Sequence, residues 1–263
     1  MQEQEARKTI VEIGKLMYER SYVVSSDGNV SIRLGENLVI ASPTQTSKGR
    51  MTEDSLALTD LEGNALNDKR ASSELAMHLL IYKLRPEIKA VCHAHPPHGT
   101  AFAVAGLAID EPILSEVILT LGCVPLTEYG TPSTSELTDA MKPFVPNHNA
   151  LLMANHGAVA YGKSLWEAFD RMETLEHTAK ISILARALGK PNDLPKDAIS
   201  KLINIREAAG YLTEDARCQS CGYLHQAGIT CEPNANIAYK SEKVSLTREE
   251  LIELLHKAAN TAS

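Results

Sequence analysis

A mixed α/β protein is what this sequence predicts, on two observations. Long segments repeat apolar residues at helical spacing, as in Ile10, Ile13, Leu16 and Met17. Short apolar runs bounded by turn residues stand between them, as in residues 30–34 and 150–154. Composition agrees. The 263 residues are 44% hydrophobic and 22% charged, a globular profile. A chain of this size buries a core without disulfides or a structural metal.

The elements follow in order. The first 24 residues read as a helix, and Ser25-Ser26-Asp27-Gly28-Asn29 as a turn. Strands are expected at 30–34, 38–41 and 56–60, the last followed by a hairpin turn at 61–64. Ser72 or Ser73 is expected to cap a helix that runs to Leu84 and stops before Pro86. Residues 88–95 alternate as a strand, and a helix is expected from about Thr100. Further strands are expected at 124–126, 150–154 and 159–161. Ser164-x-x-Glu167 reads as a capping box for a helix to Leu188, ended by Gly189 and Pro191. One more helix is expected at 195–209. The pattern thins after Gly210, where we expect a boundary: residues 1–210 as a catalytic domain, and 211–263 as an extension. Thr247-x-x-Glu250 opens a final amphipathic helix there.

Charge and cysteines exclude several classes. The net charge of −7 argues against a nucleic-acid or anionic-membrane protein. Residues 90–109 carry no Lys, Arg, Asp or Glu, but their His93, His95, His98, Pro96 and Pro97 do not suit a bilayer. The polar N-terminus has no apolar signal region. Five cysteines, an odd number, read as reduced thiols of the cytoplasm.

The sharpest chemical feature is His93-Ala94-His95. On a strand, residues two apart leave the same face, so the pair forms a bidentate clamp for zinc or a similar divalent ion. His156 follows the strand at 150–154 and would supply a third nitrogen. Three ligands and an open position are the pattern of a catalytic zinc. Glu74 at a helix start could be a fourth ligand or a general base. The hydroxyls of Ser72 and Ser73, with the first-turn amides, form an anion site. Gly28-Asn29 offers backbone amides and a side-chain amide to an oxyanion. Chemistry on such a metal needs no lysine Schiff base. Glu173, Glu176 and His177 read as a solvated or subunit-facing surface of their helix. Cys218-x-x-Cys221, with His225 and Cys231, reads as free thiols, with a structural zinc as the alternative.

Taken together, Gly28-Asn29, Pro43-Thr44, Ser72-Ser73-Glu74, His93-x-His95 and Asn155-His156-Gly157 resemble the class II aldolase/adducin family, the L-fuculose-1-phosphate aldolase branch above all. The resemblance spans about residues 5–205. It implies an αβα fold with a central, mainly antiparallel sheet, and a homotetramer with active sites at subunit interfaces. It implies one zinc per subunit, or another divalent metal, held by His93, His95, His156 and Glu74, with Glu74 also the acid/base. It implies a phosphate cradle of Gly28, Asn29, Thr44, Ser72 and Ser73. The implied activity is cleavage of a ketose 1-phosphate to dihydroxyacetone phosphate and an aldehyde. Family-related 4-epimerisation, decarboxylation or dehydration is the alternative, and a non-catalytic adducin-like interaction module is another.

Two departures bear on the substrate. Gln45 stands where fuculose-phosphate aldolases have glycine. No tyrosine stands near Ser115-Glu116, where the family's aldolases have one, and Tyr129 matches a different position. The terminal helix, residues 247–260, either packs on the protein or docks to a bacterial microcompartment shell, as in some aldolases that the resemblance brings in.

Overall fold

The computed structural model describes residues 1–210. Seven strands are present there: β1 (Asn29–Leu34), β2 (Leu38–Ala41), β3 (Ala57–Thr59), β4 (Ala90–Ala94), β5 (Leu126–Thr127), β6 (Ala150–Met153) and β7 (Gly157–Gly162). They form one sheet in the order β3-β2-β1-β4-β7-β6-β5. All pairings are antiparallel except β5 with β6, so the sheet is mainly antiparallel, as expected.

Side chains alternate across the strands, and each face has its own core. On one face, Val30, Ile32, Ile40, Cys92, Ala94, Ala158 and Ala160 meet the long helices. Helix α1 (Glu3–Glu19) covers them with Ala6, Ile10, Ile13 and Met17, one stripe at helical spacing. On the other face, Val39, Ala41, Val91, Val159 and Tyr161 pack on helix α2 (Leu75–Leu84) through Leu75, Met77, Ile81 and Tyr82. Each such fully buried side chain contributes ~1.5–3 kcal/mol. The remaining helices are α3 (Pro97–Val104), α4 (Ser115–Thr120), α5 (Ser135–Met141), α6 (Leu165–Leu188) and α7 (Lys196–Ala208). α6 joins α1 and α3 on the first face, and α5 joins α2 on the second.

Several expectations need correction. α1 stops at Glu19, because the chain turns left-handed at Ser21 (φ 60°) and Ser25 (φ 51°). α3 begins at Pro97, where a first-turn proline loses no hydrogen bond. α4 and α5 are too short for periodicity to expose them. Neither Ser72 nor Ser73 caps α2. The N-cap is Glu74, and the Ser72 hydroxyl instead accepts the Glu74 amide at 3.3 Å. Ser164 does cap α6, accepting the Glu167 amide, but the Glu167 carboxylate accepts from Lys163 and not from Ser164.

Glu176 is not a solvated surface group. It lies in the buried stripe of α6, 6% exposed. Its carboxylate accepts the amides of His98 and Gly99, the latter at 2.8 Å, and His98 Nδ1–H at 2.6 Å. It therefore caps α3 from a neighbouring helix, where the orphan amides and the helix dipole favour a negative charge. His177 is exposed, and Glu173 pairs with Arg20. At the other end of this layer, buried Arg206 of α7 donates to Ile118 O and Leu121 O, closing the C-terminal end of α4. The cysteines at 218, 221 and 231 and the terminal amphipathic helix lie outside the described residues.

The cap on α3 yields a stability prediction. Glu176→Gln replaces a carboxylate by an amide whose NH2 faces two backbone donors. It should cost about 1–3 kcal/mol in urea unfolding. An unchanged midpoint would show that the α3 amides find other acceptors.

Candidate metal centre

Three secondary structures bring the site together, and each does so for a local reason. β4 ends in His93-Ala94 and His95 follows directly in extended continuation, so two imidazoles project to one side. The β6–β7 hairpin turns through Asn155 in a left-handed conformation (φ 54°), which asparagine tolerates, and presents His156. β4 and β7 are paired, so the hairpin's tip lies beside the end of β4. The chain then enters α2 through the Pro43↔Ala71 bridge, which sets Glu74 at the helix start.

One ring nitrogen from each of His93, His95 and His156 lies within 4.8 Å of the other two. His93 is fully buried, and its Nδ1–H donates to Ala158 O at 2.9 Å. That bond fixes the tautomer, so a neutral His93 turns a lone pair on Nε2 toward the others. His95 Nε2 stands 3.3 Å from His93 Nε2. The Glu74 carboxylate reaches both remaining groups, with Oε2 3.3 Å from His93 Nε2 and Oε1 3.1 Å from His156 Nε2. Asp27 Oδ2 lies 3.7 Å from His95 Nδ1, on the far side of that ring.

This donor set fits a divalent metal. Acceptors face acceptors at its centre, an arrangement that repels unless a cation or extra protons sit among them. The edge of a tetrahedron with zinc–nitrogen bonds of ~2.0–2.1 Å is ~3.3–3.4 Å, close to the His93–His95 separation. Glu74 Oε1 is buried with no hydrogen bond of its own. His93, His95, His156 and Glu74 are thus the residues that could hold the ion.

The electrostatics agree. When no ion is bound, burial pushes the Glu74 carboxyl up, but His93 and His156, when they carry protons toward it, overcome this and hold the group well below the usual carboxylate range. Burial, then the charges of His93 and His156, push His95 down to about 3, against a weaker opposing pull from Glu74. His95 is therefore neutral and able to ligate at ordinary pH.

Gly28 and Asn29 adjoin this cluster, and the other expected residues lie on the loops beside α2 and β2. Gly28 (φ 67°) sits where an added Cβ would lie 2.4 Å from Val23 and 2.8 Å from His93 O, so no larger residue fits. Asn29 is opposite His93 in the β1–β4 register and donates its amide to Glu74 Oε2 at 3.0 Å. Thr44 and Ser72 are held on adjacent strands of chain, Thr44 N–H donating to Arg70 O and Ser72 N–H to Ser42 O. Ser73 is exposed. Gln45 has φ 53°, the conformation glycine would adopt without strain.

Sequence reasoning missed three residues here. Lys48 is 2% exposed, and its ammonium donates to Ser26 O at 2.8 Å and Thr46 O at 2.7 Å, tying the Gly28 and Thr44 loops together. Burial pushes it down to about 8, against the pull of Asp27 and Glu74. Nothing in its local sequence marks it. His78 and Tyr82 are also buried beside the site. Their spacing from Glu74, one and two helical turns, was a legible signal.

Two buried histidines make metal-free stability depend on pH. His95 and His78 both sit near 3 when folded, against 6.5 when exposed. Between those values the unfolded chain binds protons that the folded chain does not, so stability is lost as pH falls below 6.5. At pH 5 each should cost roughly 2 kcal/mol. Urea midpoints of chelator-treated protein at pH 7.5 and pH 5 measure this, and a flat profile would contradict it.

Comparison with known proteins identifies the family. The family model described as "Class II Aldolase and Adducin N-terminal domain" matches residues 8–183. A 3-oxo-tetronate 4-phosphate decarboxylase from Haemophilus influenzae is 34% identical over 180 residues, covering 66% of this chain and 85% of that protein. An L-fuculose phosphate aldolase from Methanococcus maripaludis is 34% identical over 181 residues, covering 68% and 96%. The crystal structure of YgbL from Klebsiella pneumoniae superposes with a TM-score of 0.72 at 31% identity, covering 77% and 99%. The chain belongs to the class II aldolase/adducin family.

Proposed function

We propose that this protein is a metal-dependent lyase that breaks a carbon–carbon bond in a small sugar phosphate, with aldol cleavage of a ketose 1-phosphate as the first reading. The observation that carries it is the convergence of three imidazole nitrogens and the Glu74 carboxylate on one point. A divalent ion there, zinc by its donor set, supplies a Lewis acid for the negative charge that develops on an enediolate. Gly28, Asn29, Thr44, Ser72 and Ser73 hold the phosphate, with the Lys48 loop staple beside them. Glu74 moves the proton at the carbon released by bond cleavage. His93 is locked by Ala158 O and so holds its orientation throughout.

A second reading, decarboxylation, has its own support. Loss of CO2 from a 3-oxo-tetronate 4-phosphate and retro-aldol cleavage of a ketulose 1-phosphate leave the same enediolate of dihydroxyacetone phosphate. Aldol cleavage also needs an acid/base at the aldehyde oxygen, and this chain has no tyrosine near Ser115-Glu116. Decarboxylation needs none. The decarboxylases named among the relatives favour this reading.

Further parts of the reading rest on the family and the sequence. Residues 1–210 act as the catalytic unit, in a homotetramer with active sites at subunit interfaces, in the cytoplasm and with no nucleic-acid or membrane partner. Among the described residues no helix is long and apolar enough to cross a membrane. Residues 247–260, outside the described part, either pack on the protein or a neighbouring subunit or dock to a microcompartment shell. A truncation after Gly210 that leaves localisation unchanged would remove that role.

Incubation of metal-replete protein with a panel of ketose 1-phosphates and 3-oxo acid phosphates, read by product mass, separates the reactions. Aldol cleavage gives two organic fragments, decarboxylation gives CO2 and one fragment, and epimerisation conserves mass. His93→Ala should lower metal affinity by at least ~100-fold. Glu74→Gln should lower kcat by ~10²–10⁴-fold. Undiminished turnover in both variants would defeat the scheme.

A further inference from the structure

Behind the carboxylate, β1 and α2 face each other with a row of polar side chains where the core on either side is apolar. Asn29 and Ser31 are two apart on β1 and share a face. Glu74, His78 and Tyr82 lie at successive helical turns along α2. The two rows interlock. Tyr82 OH is 2.7 Å from Ser31 Oγ, Ser31 Oγ is 2.7 Å from His78 Nδ1, and His78 Nε2 is 2.5 Å from Asn29 Oδ1. Asn29 Nδ2 is 3.0 Å from Glu74 Oε2. Asn29, Ser31, His78 and Tyr82 are each 2% exposed or less.

Donor and acceptor chemistry gives this row one direction. The ionised Glu74 carboxylate only accepts, so Asn29 must turn its NH2 toward it. The Asn29 carbonyl oxygen then faces His78 and also only accepts, so His78 must carry its proton on Nε2. A neutral imidazole has one N–H, and His78 Nδ1 therefore accepts from the Ser31 hydroxyl. Ser31 has given its proton away, so its oxygen accepts from Tyr82. Reversing any link would set two acceptors against each other in a buried site, at ~1–3 kcal/mol.

We propose that Tyr82, Ser31 and His78 form a one-way hydrogen-bond relay that locks the Asn29 amide and, through it, aims the Glu74 carboxylate at the three histidines. None of the three touches the reacting atoms, so they are positioning residues. His78 is the pivot. Without its N–H, the buried Asn29 carbonyl oxygen loses its donor and only the Glu74 bond still holds the amide, so the amide and the carboxylate it aims lose their fixed place. The proposal rests on Glu74 being the carboxylate of the metal site, and goes beyond it by assigning the residues that hold it there.

The relay is testable without any substrate. Two-bond ¹H–¹⁵N spectra of ¹⁵N-histidine-labelled protein report each ring's tautomer, and His78 is assigned by the loss of its signals in His78→Gln. The expected pattern is a neutral ring with the proton on Nε2. A proton on Nδ1, or a charged ring at pH 7, would overturn the relay, and this measurement needs no variant to retain function. Cobalt(II) titration then tests positioning. His78→Leu should bind cobalt(II) ~10–100-fold more weakly, as for loss of other outer-shell partners. His78→Gln keeps an N–H donor at the Nε2 position and should stay within about threefold of the parent, although both variants lose comparable stability in urea. Equal losses of cobalt affinity in the two, or no loss in the leucine variant, would reduce His78 to a core residue and overturn the proposal. If the parent itself bound no cobalt, the metal reading would fail while the tautomer still judged the relay.

Discussion

The structure is organised around one electrostatic constraint: a carboxylate and three imidazoles must converge in a largely buried place. Taking Glu74 out of water raises its free energy, and the histidines and the Asn29 amide offset that cost. The partners come from β1, the end of β4, the β6–β7 turn and the start of α2, so none can be moved alone. His93 needs β4 paired with β7, because its tautomer depends on Ala158 O. His156 needs the left-handed turn at Asn155. Glu74 needs α2 to begin where it does. Register across β1, β4 and β7 is therefore as much a part of the site as the ligands are, since a slip of one residue would turn His93 and Asn29 to the opposite face.

The two faces of the sheet carry different burdens. The face under α1, α3 and α6 is nearly all apolar and supplies most of the buried area. The face under α2 and α5 is interrupted by Asn29, Ser31, His78 and His93 beside the site. Polar groups are tolerated there because each meets a partner, which rigidifies the strand and helix ends that hold Glu74. Glu176 plays a parallel part on the first face. It anchors the start of α3, two residues after His95, so the chain leaving the His93–His95 pair enters a fixed helix start.

Much of the site was legible because its signals are local. His93-x-His95 on an apolar strand, His156 at a hairpin tip and Glu74 at a helix start each follow from spacing and side-chain type. The long helices and the central strands were also readable, as their periodicity extends over enough residues. Shorter elements such as α4 and α5 escaped, since six or seven residues do not establish a period. Glu176 was misread for a different reason. Helical spacing put it near exposed neighbours, and nothing nearby in sequence showed that its partners are the amides of His98 and Gly99, some 77 residues away.

The sequence alone determined which residues have the chemistry for a divalent ion and which segments alternate or repeat, because those properties depend on residue type and on neighbours within a few positions. It also placed glycine at position 28, where a left-handed turn and the approach of His93 O leave no room for a Cβ. Only the tertiary structure decided which polar groups complete the site. Lys48 became a buried staple between two loops, and Ser31, His78 and Tyr82 became a row behind Glu74, because strand β1 and helix α2 meet across more than forty residues of chain. Hydrogen bonds of that span have no signature in local sequence. They exist only once burial removes water and leaves each donor one acceptor to find.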